Sequence, residues 1–373
     1  MTAIPAPHRP IAPRPGLRLL RIGFVPLTDA APLLVAEALG LFDRVGLRVA
    51  LSAETGWAAL RDRLAYGALD AAHLLGPLPI ALAAGLGGAR ADLLAVAGLG
   101  ANGNTITLSQ SLADEIGDFA APLSPTAFAA AIRARAAAGR AAVTLAVVFP
   151  FSSHNYLLRH WLAAGGLDPD RDLRLTVVPP PLVAQRLAEG AIDGFCAGEP
   201  WGSHAAAMGA GRIALTTGDI WPDHPEKLLA VRADVVARER EAIVACTAAV
   251  IAAARWLDDP QNQDDAVRIL ASRAFPLLAR ETIAAALEGR AGSQMLAAPL
   301  RFRAATRPRR EQAAWWLGQM RRWGHLPHDI ADATALAPWA DDSFWREAAQ
   351  RVAEPAPSTP PSPPDFLTPE TAR

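Results

Sequence analysis

Short apolar runs alternate with amphipathic stretches through the first hundred residues, and each change of period marks a change of element. Leu19 to Leu27 reads as a strand, after which Thr28 and Asp29 offer a cap to a helix over Ala31 to Leu39 that ends at Gly40. Leu47 to Leu51 reads as a second strand, Trp57 to Ala65 as a helix, and Ala71 to Leu75 as a third strand. Pro79 to Ala84 is helical, and Leu93 to Ala97 is again a strand. Strands of this length separated by helices predict an α/β fold with a parallel sheet covered on both faces.

An internal echo extends the pattern to a second half. Residues 63–70 read Arg-Leu-Ala-Tyr-Gly-Ala-Leu-Asp, and residues 186–193 read Arg-Leu-Ala-Glu-Gly-Ala-Ile-Asp. Each closes a helix at glycine and starts a strand through an apolar-Asp step, which supports two lobes built alike, although such junctions also resemble one another generally. The expected division is a discontinuous lobe 1 over 17–108 and 218–354, with lobe 2 over 109–217. A proline-rich head (1–16) and tail (355–373) are expected to be disordered. Trp315, Trp316, Met320 and Trp323 stand at helical spacing and read as a packing face.

Composition narrows the function. A chain of 373 residues is long enough for two α/β lobes, and a net charge of −1 leaves no basic excess for nucleic acid. No apolar run reaches the ~20 residues of a membrane helix. Met1 to Gly16 lacks an apolar stretch, and the cysteines, Cys196 and Cys246, are two lone thiols; together these predict a cytoplasmic chain, with a mis-called start as the alternative. Of 36 basic side chains a single one, Lys227, is lysine. Either one lysine survived coding bias, or the position needs a compact ammonium that a planar guanidinium does not replace.

Catalytic and cofactor motifs are absent. Gly98-Leu-Gly100-Ala-Asn-Gly103 fits a dinucleotide loop, but Thr105-Ile-Thr-Leu after it reads as a strand where a helix is needed. No His or Cys pair has metal-ligand spacing, and no nucleophile elbow, Walker loop or Cys-x-x-Cys occurs, so the chain reads as a binder without cofactor or metal. Anion chemistry remains: donors, one positive charge and few acceptors. Trp57 offers an indole N–H at a helix start, Asn104 an amide, and His154 a ring in the first turn of a helix over Asn155 to Ala163. Gly198 allows close backbone approach and Lys227 supplies charge. Each also has a plainer reading as a core, turn or first-turn residue.

In order along Leu17 to Arg346, several segments resemble the nitrate- and bicarbonate-binding proteins of ABC importers, the NrtA/CmpA family. They are Gly23-Phe-Val-Pro-Leu-Thr-Asp-Ala-Ala-Pro, Gly56-Trp57-Ala-Ala-Leu-Arg-Asp, Ala72-His-Leu-Leu-Gly-Pro-Leu-Pro, Asn102-Gly-Asn104, Ser-Ser-His154, Gly198-Glu-Pro-Trp and His224-Pro-Glu-Lys227. The resemblance implies a type 2 periplasmic-binding-protein fold with a hinge and a cleft that closes over an anion. Trp57, His154, the Gly198 backbone and Lys227 match the family's nitrate contacts, whereas Asn104 stands where transport members carry glutamine. Bicarbonate binders carry an acidic residue at the position of Lys227, so nitrate or nitrite is the ligand implied. With no leader recognised, the sequence is similar to the cytoplasmic nitrate sensors (NasS-like), which release an RNA-binding antiterminator partner (NasT-like) when nitrate binds and so regulate nitrate assimilation. The alternative is the substrate-binding component of a nitrate/nitrite ABC importer. An enzyme on the same scaffold, of the thiamine-pyrimidine synthase kind, lacks its cysteine-rich motif here.

Overall fold

The apolar runs become strands of two separate sheets. A computed structural model describes residues 19–355 and 362–365, apart from 120, 292–293 and 297. The head and most of the tail therefore lie outside the described residues. The first sheet contains β1 (Leu20–Phe24), β2 (Val49–Ala53), β3 (Ala71–Leu75) and β4 (Leu93–Gly98). The second contains β5 (Asn104–Ser109), β6 (Thr144–Val147), β7 (Arg174–Val177), β8 (Gly194–Gly198) and β9 (Gly211–Thr216). The chain then returns to the first sheet as β10 (Lys227–Arg232). β3 and β8 are buried along their whole length, as central strands covered on both faces must be.

Strand order is the same in both halves: β2-β1-β3-β10-β4 and β7-β6-β8-β5-β9. The sheets are mixed, not parallel as the sequence suggested, because β10 runs antiparallel to β3 and β4, and β5 antiparallel to β8 and β9. The physical reason is that these two strands arrive from the other half of the molecule. They are not delivered by the helical crossover that makes neighbours parallel. The second sheet takes its first residue at Asn104, a few positions before the expected boundary.

The echo is structural as well as sequential. Gly67 and Gly190 both take left-handed backbone, at φ 78° and 68°, which ends each helix without the penalty a Cβ would bring. The carboxylate of Asp70 then accepts from the Arg21 amide at 2.9 Å, and that of Asp193 from the Thr144 amide at 2.7 Å. Each aspartate pins the start of the strand beside its own.

The glycine-rich stretch has a packing purpose. A Cβ on Gly98 would fall 1.9 Å from the Ala305 carbonyl oxygen, so glycine there lets residues 300–306 lie against the strand end. Strand β5 follows it, and no helix N-terminus is available to a pyrophosphate. The packing face near the C-terminus forms on the helix Arg310–Arg322. Trp315 and Trp316 lie with ring centroids 4.9 and 5.4 Å from fully buried Trp221, while Trp323 sits just past the helix end and is partly exposed. No helix among the described residues is long and apolar enough to cross a membrane.

Candidate functional site

The two crossing strands begin at one place, and the polar side chains converge there. Lys227 is the first residue of β10 and Asn104 the first of β5. Gly198, the last residue of β8, is the ladder partner of Asn104. Its ideal Cβ would lie 3.4 Å from the Asn104 amide oxygen, so a side chain there would press into the junction. Trp57 opens the helix Trp57–Ala65. His154 is the second residue of the helix Ser153–Ala164, whose cap is made by the Ser152 hydroxyl accepting from the Asn155 amide at 3.1 Å. All five residues expected from the sequence thus meet between the sheets, and the side chains of Trp57, Asn104, His154 and Lys227 are buried.

Their electrostatics differ from the expectation of one free cation with few acceptors. The Lys227 ammonium donates to Asp29 Oδ2 at 2.7 Å and to Glu226 Oε1 at 2.5 Å. It also lies 5.6 Å from the Trp57 ring centroid, within cation–π range. Burial by itself would make this lysine easier to deprotonate; the two carboxylates outweigh it and hold the pKa above the ordinary value. Burial likewise raises the carboxyls. Lys227 and the hydrogen bond from His73 reverse this for Asp29, which stays well below the usual carboxylate range, and Lys227 foremost brings Glu226 down to about 2.

Three buried histidines surround these charges as neutral rings. Desolvation lowers His73 and His224 and takes His154 to about 3. His73 Nε2 donates to Asp29 Oδ1 at 2.8 Å. Nδ1 of His224 lies 3.2 Å from the Pro225 carbonyl, which only accepts, so that nitrogen carries the hydrogen. Its Nε2 then accepts from the Thr217 hydroxyl at 2.7 Å. Two carboxylates against one ammonium leave the cluster with a single net negative charge.

Donor capacity is left over beside the ion cluster. Nε1 of Trp57 and both ring nitrogens of His154 are buried without a hydrogen-bond partner among the described residues. An unpaired buried donor costs ~1–3 kcal/mol, so these groups gain from any acceptor that reaches them. The Trp57 indole and the neutral His154 ring have one N–H each to offer beside the Lys227 ammonium. Among the described residues no group of histidine, cysteine and carboxylate side chains is placed to hold a metal ion.

Sequence reasoning missed half of the cluster. Asp29 was read with Thr28 as a helix cap, yet neither caps. Asp29 pairs with Lys227 and His73, and the Thr28 hydroxyl donates to the Glu199 carbonyl at 3.0 Å, tying β1 to the end of β8. Glu226 and His224 stood in the quoted His-Pro-Glu-Lys segment without a role. The available signal was the lysine itself, since a buried ammonium requires carboxylate partners and an acidic neighbour was adjacent in sequence.

Comparison with known proteins agrees with this geometry. Residues 14–271 match the NMT1-like family. The chain is 34% identical over 355 residues to the nitrate/nitrite binding protein NrtA of Synechococcus elongatus, covering 91% of this chain and 79% of that protein. It is 30% identical over 368 residues to the bicarbonate-binding protein CmpA of the same organism, covering 92% and 80%. The crystal structure of the periplasmic nitrate-binding protein NrtA from Synechocystis PCC 6803 superposes with a TM-score of 0.84 at 31% identity, over 95% of this chain and 93% of that one. These relatives are binding proteins and not enzymes, and their likeness spans both sheets. The chain belongs to the NMT1-like family, within its NrtA/CmpA group of solute-binding proteins with the two-lobed periplasmic-binding fold.

Proposed function

We propose that the chain binds nitrate or nitrite between its two sheets and serves as the substrate-binding component of an importer for that anion. The observation that carries the reading is the convergence of Trp57, Asn104, His154, Gly198 and Lys227 on one buried place, with donors of Trp57 and His154 left without hydrogen-bond partners among the described residues. The names of the relatives support the same reading, since they are nitrate/nitrite- and bicarbonate-binding proteins. Lysine at 227 supports nitrate or nitrite over bicarbonate. A fully deprotonated anion gains from an ammonium, and the bicarbonate binders of the family carry an acidic residue at this position.

The sensor reading, cytoplasmic and coupled to an RNA-binding antiterminator, is the less well supported of the two, because the names of the relatives are those of periplasmic binding and import proteins. The readings also differ in where the chain works, so cell fractionation separates them: an exported chain fits the importer and a cytoplasmic one the sensor. Ligand identity is tested by titration calorimetry of the purified chain against nitrate, nitrite, bicarbonate and sulfate. Binding of nitrate or nitrite with little response to sulfate is expected. Heat from bicarbonate alone would reverse the choice of ligand, and no heat from any of the four would remove the anion site.

A further inference from the structure

Glu226 stands directly before β10 of the first sheet, yet two of the donors that hold its carboxylate belong to the second half. One oxygen, Oε2, accepts from the Asn104 amide at 2.7 Å and from the Ser153 hydroxyl. Both donors belong to the second sheet and its helix. The other oxygen, Oε1, takes the Lys227 ammonium at 2.5 Å. His154 Nδ1 lies 3.8 Å from Oε1, and His224 Nδ1 lies 3.7 Å from Oε2. A carboxylate is planar and singly charged, with two equivalent oxygens on one atom; bent nitrite presents the same pair, and trigonal nitrate adds a third oxygen. The Glu226 carboxylate already occupies the ammonium and the amide that the site offers to an incoming oxyanion.

We propose that Glu226 is a tethered surrogate for the ligand: its carboxylate bridges the two sheets through donors that the free anion needs, and the anion binds by displacing it. The proposal deepens the anion-binding reading above and rests on it for the identity of the competitor. Asp29 provides the contrast within the same cluster. It is equally buried and equally charged, but its partners, His73 and Lys227, both lie on strands of the first sheet, so it competes for no donor of the second. Displacement exchanges one set of charge-assisted hydrogen bonds for another, which would set the anion's affinity well below what the donors alone could give.

The test is Glu226→Gln, which keeps shape and one acceptor while removing the charge. Affinity for nitrate by calorimetry should rise about tenfold or more, the scale of losing one charge-assisted competitor. Asp29→Asn removes the same charge from the same cluster and should bring no such gain. Equal gains in the two variants would mean that charge alone is responsible, and an unchanged or weakened affinity in Glu226→Gln would mean that the carboxylate helps the ligand; either result overturns the proposal. Should the native chain bind none of the anions, the bridge is still decided by small-angle scattering in oxyanion-free buffer. Glu226→Gln is then expected to have a larger radius of gyration than the native chain, and an identical radius rejects the bridge. If Glu226→Gln does not fold, Ser153→Ala removes one donor to the same carboxylate and takes over the scattering comparison with the same two outcomes.

Discussion

The two sheets share strand order, crossing-strand geometry and even the aspartate that starts a strand, but they handle buried charge in opposite ways. In the first half, Asp29 and Glu226 are ionised because Lys227 lies between them. In the second, Glu199 follows Gly198 at the end of β8, buried with no cation paired to it among the described residues. One carboxylate oxygen accepts from the Ser203 amide at 3.0 Å. Burial pushes its pKa up to about 7, against relief from Ser203 and Thr105. Equal folds thus carry unequal chemistry. The first half brings the fixed charges of the site, and the second brings neutral donors, Asn104, Ser153 and His154. An anion bound between them as proposed would meet an ion cluster on one side and hydrogen-bond donors on the other.

The largest break in this contrast comes from Lys227→Met. Two carboxylates then lose their cation in a dry site, and the expected cost is ~3–5 kcal/mol of unfolding free energy together with loss of anion binding. Urea denaturation at pH 7.5 and again at pH 5.5 checks it. The deficit should shrink on acidification, because carboxyls without Lys227 hold their protons more tightly when folded. A deficit that grew would contradict the pairing.

Glu199→Gln acts in the other half and in the opposite direction. A carboxyl whose folded pKa is about 7, above its ordinary 4.5, keeps a proton when folded that it has lost when unfolded. Native stability is therefore eroded as pH rises through that window. The variant has no such term, so it is expected to exceed the native chain by ~1–3 kcal/mol at pH 8 and to match it near pH 4.5. Glu226, lowered to about 2, behaves inversely: its contribution is present above the ordinary carboxylate range and disappears as pH falls toward 2. A variant no more stable than the native protein at pH 8 would show that Glu199 is ionised at no cost.

The smallest effect compares the two strand-starting aspartates. Asp70 accepts from the Arg21 amide and from two nitrogens of the Arg21 guanidinium, whereas Asp193 accepts from the Thr144 amide. Asp70→Ala should cost about 2 kcal/mol and Asp193→Ala about 1 kcal/mol, read as shifts of the denaturation midpoint. A reversed order would mean that the echo is alike in shape but not in energetics.

How much of this was visible beforehand depended on the range of the interaction. Helix Trp57–Ala65 and strand Ala71–Leu75 were read to the residue, since period and glycine punctuation are local properties. The mixed direction of the sheets was not, because nothing in the apolar pattern of β5 or β10 says which neighbours they insert between. At the site, residues with a distinctive donor (Trp57, His154, Lys227) stood out. Asp29 and Glu226 did not, since an aspartate after threonine before a helix reads as a cap and a glutamate after proline reads as surface. Their roles arise from partners far along the chain, Asp29 with Lys227 and Glu226 with Asn104.

The placement of the single lysine also changes what the protein presents to reagents. Its positive surface is made of guanidinium groups, and its one side-chain amine is sealed between the sheets. Acylating reagents that mark ordinary proteins at many lysines therefore meet no side-chain amine on this folded chain. Covalent labelling at Lys227 then times any excursion that exposes the region between the sheets.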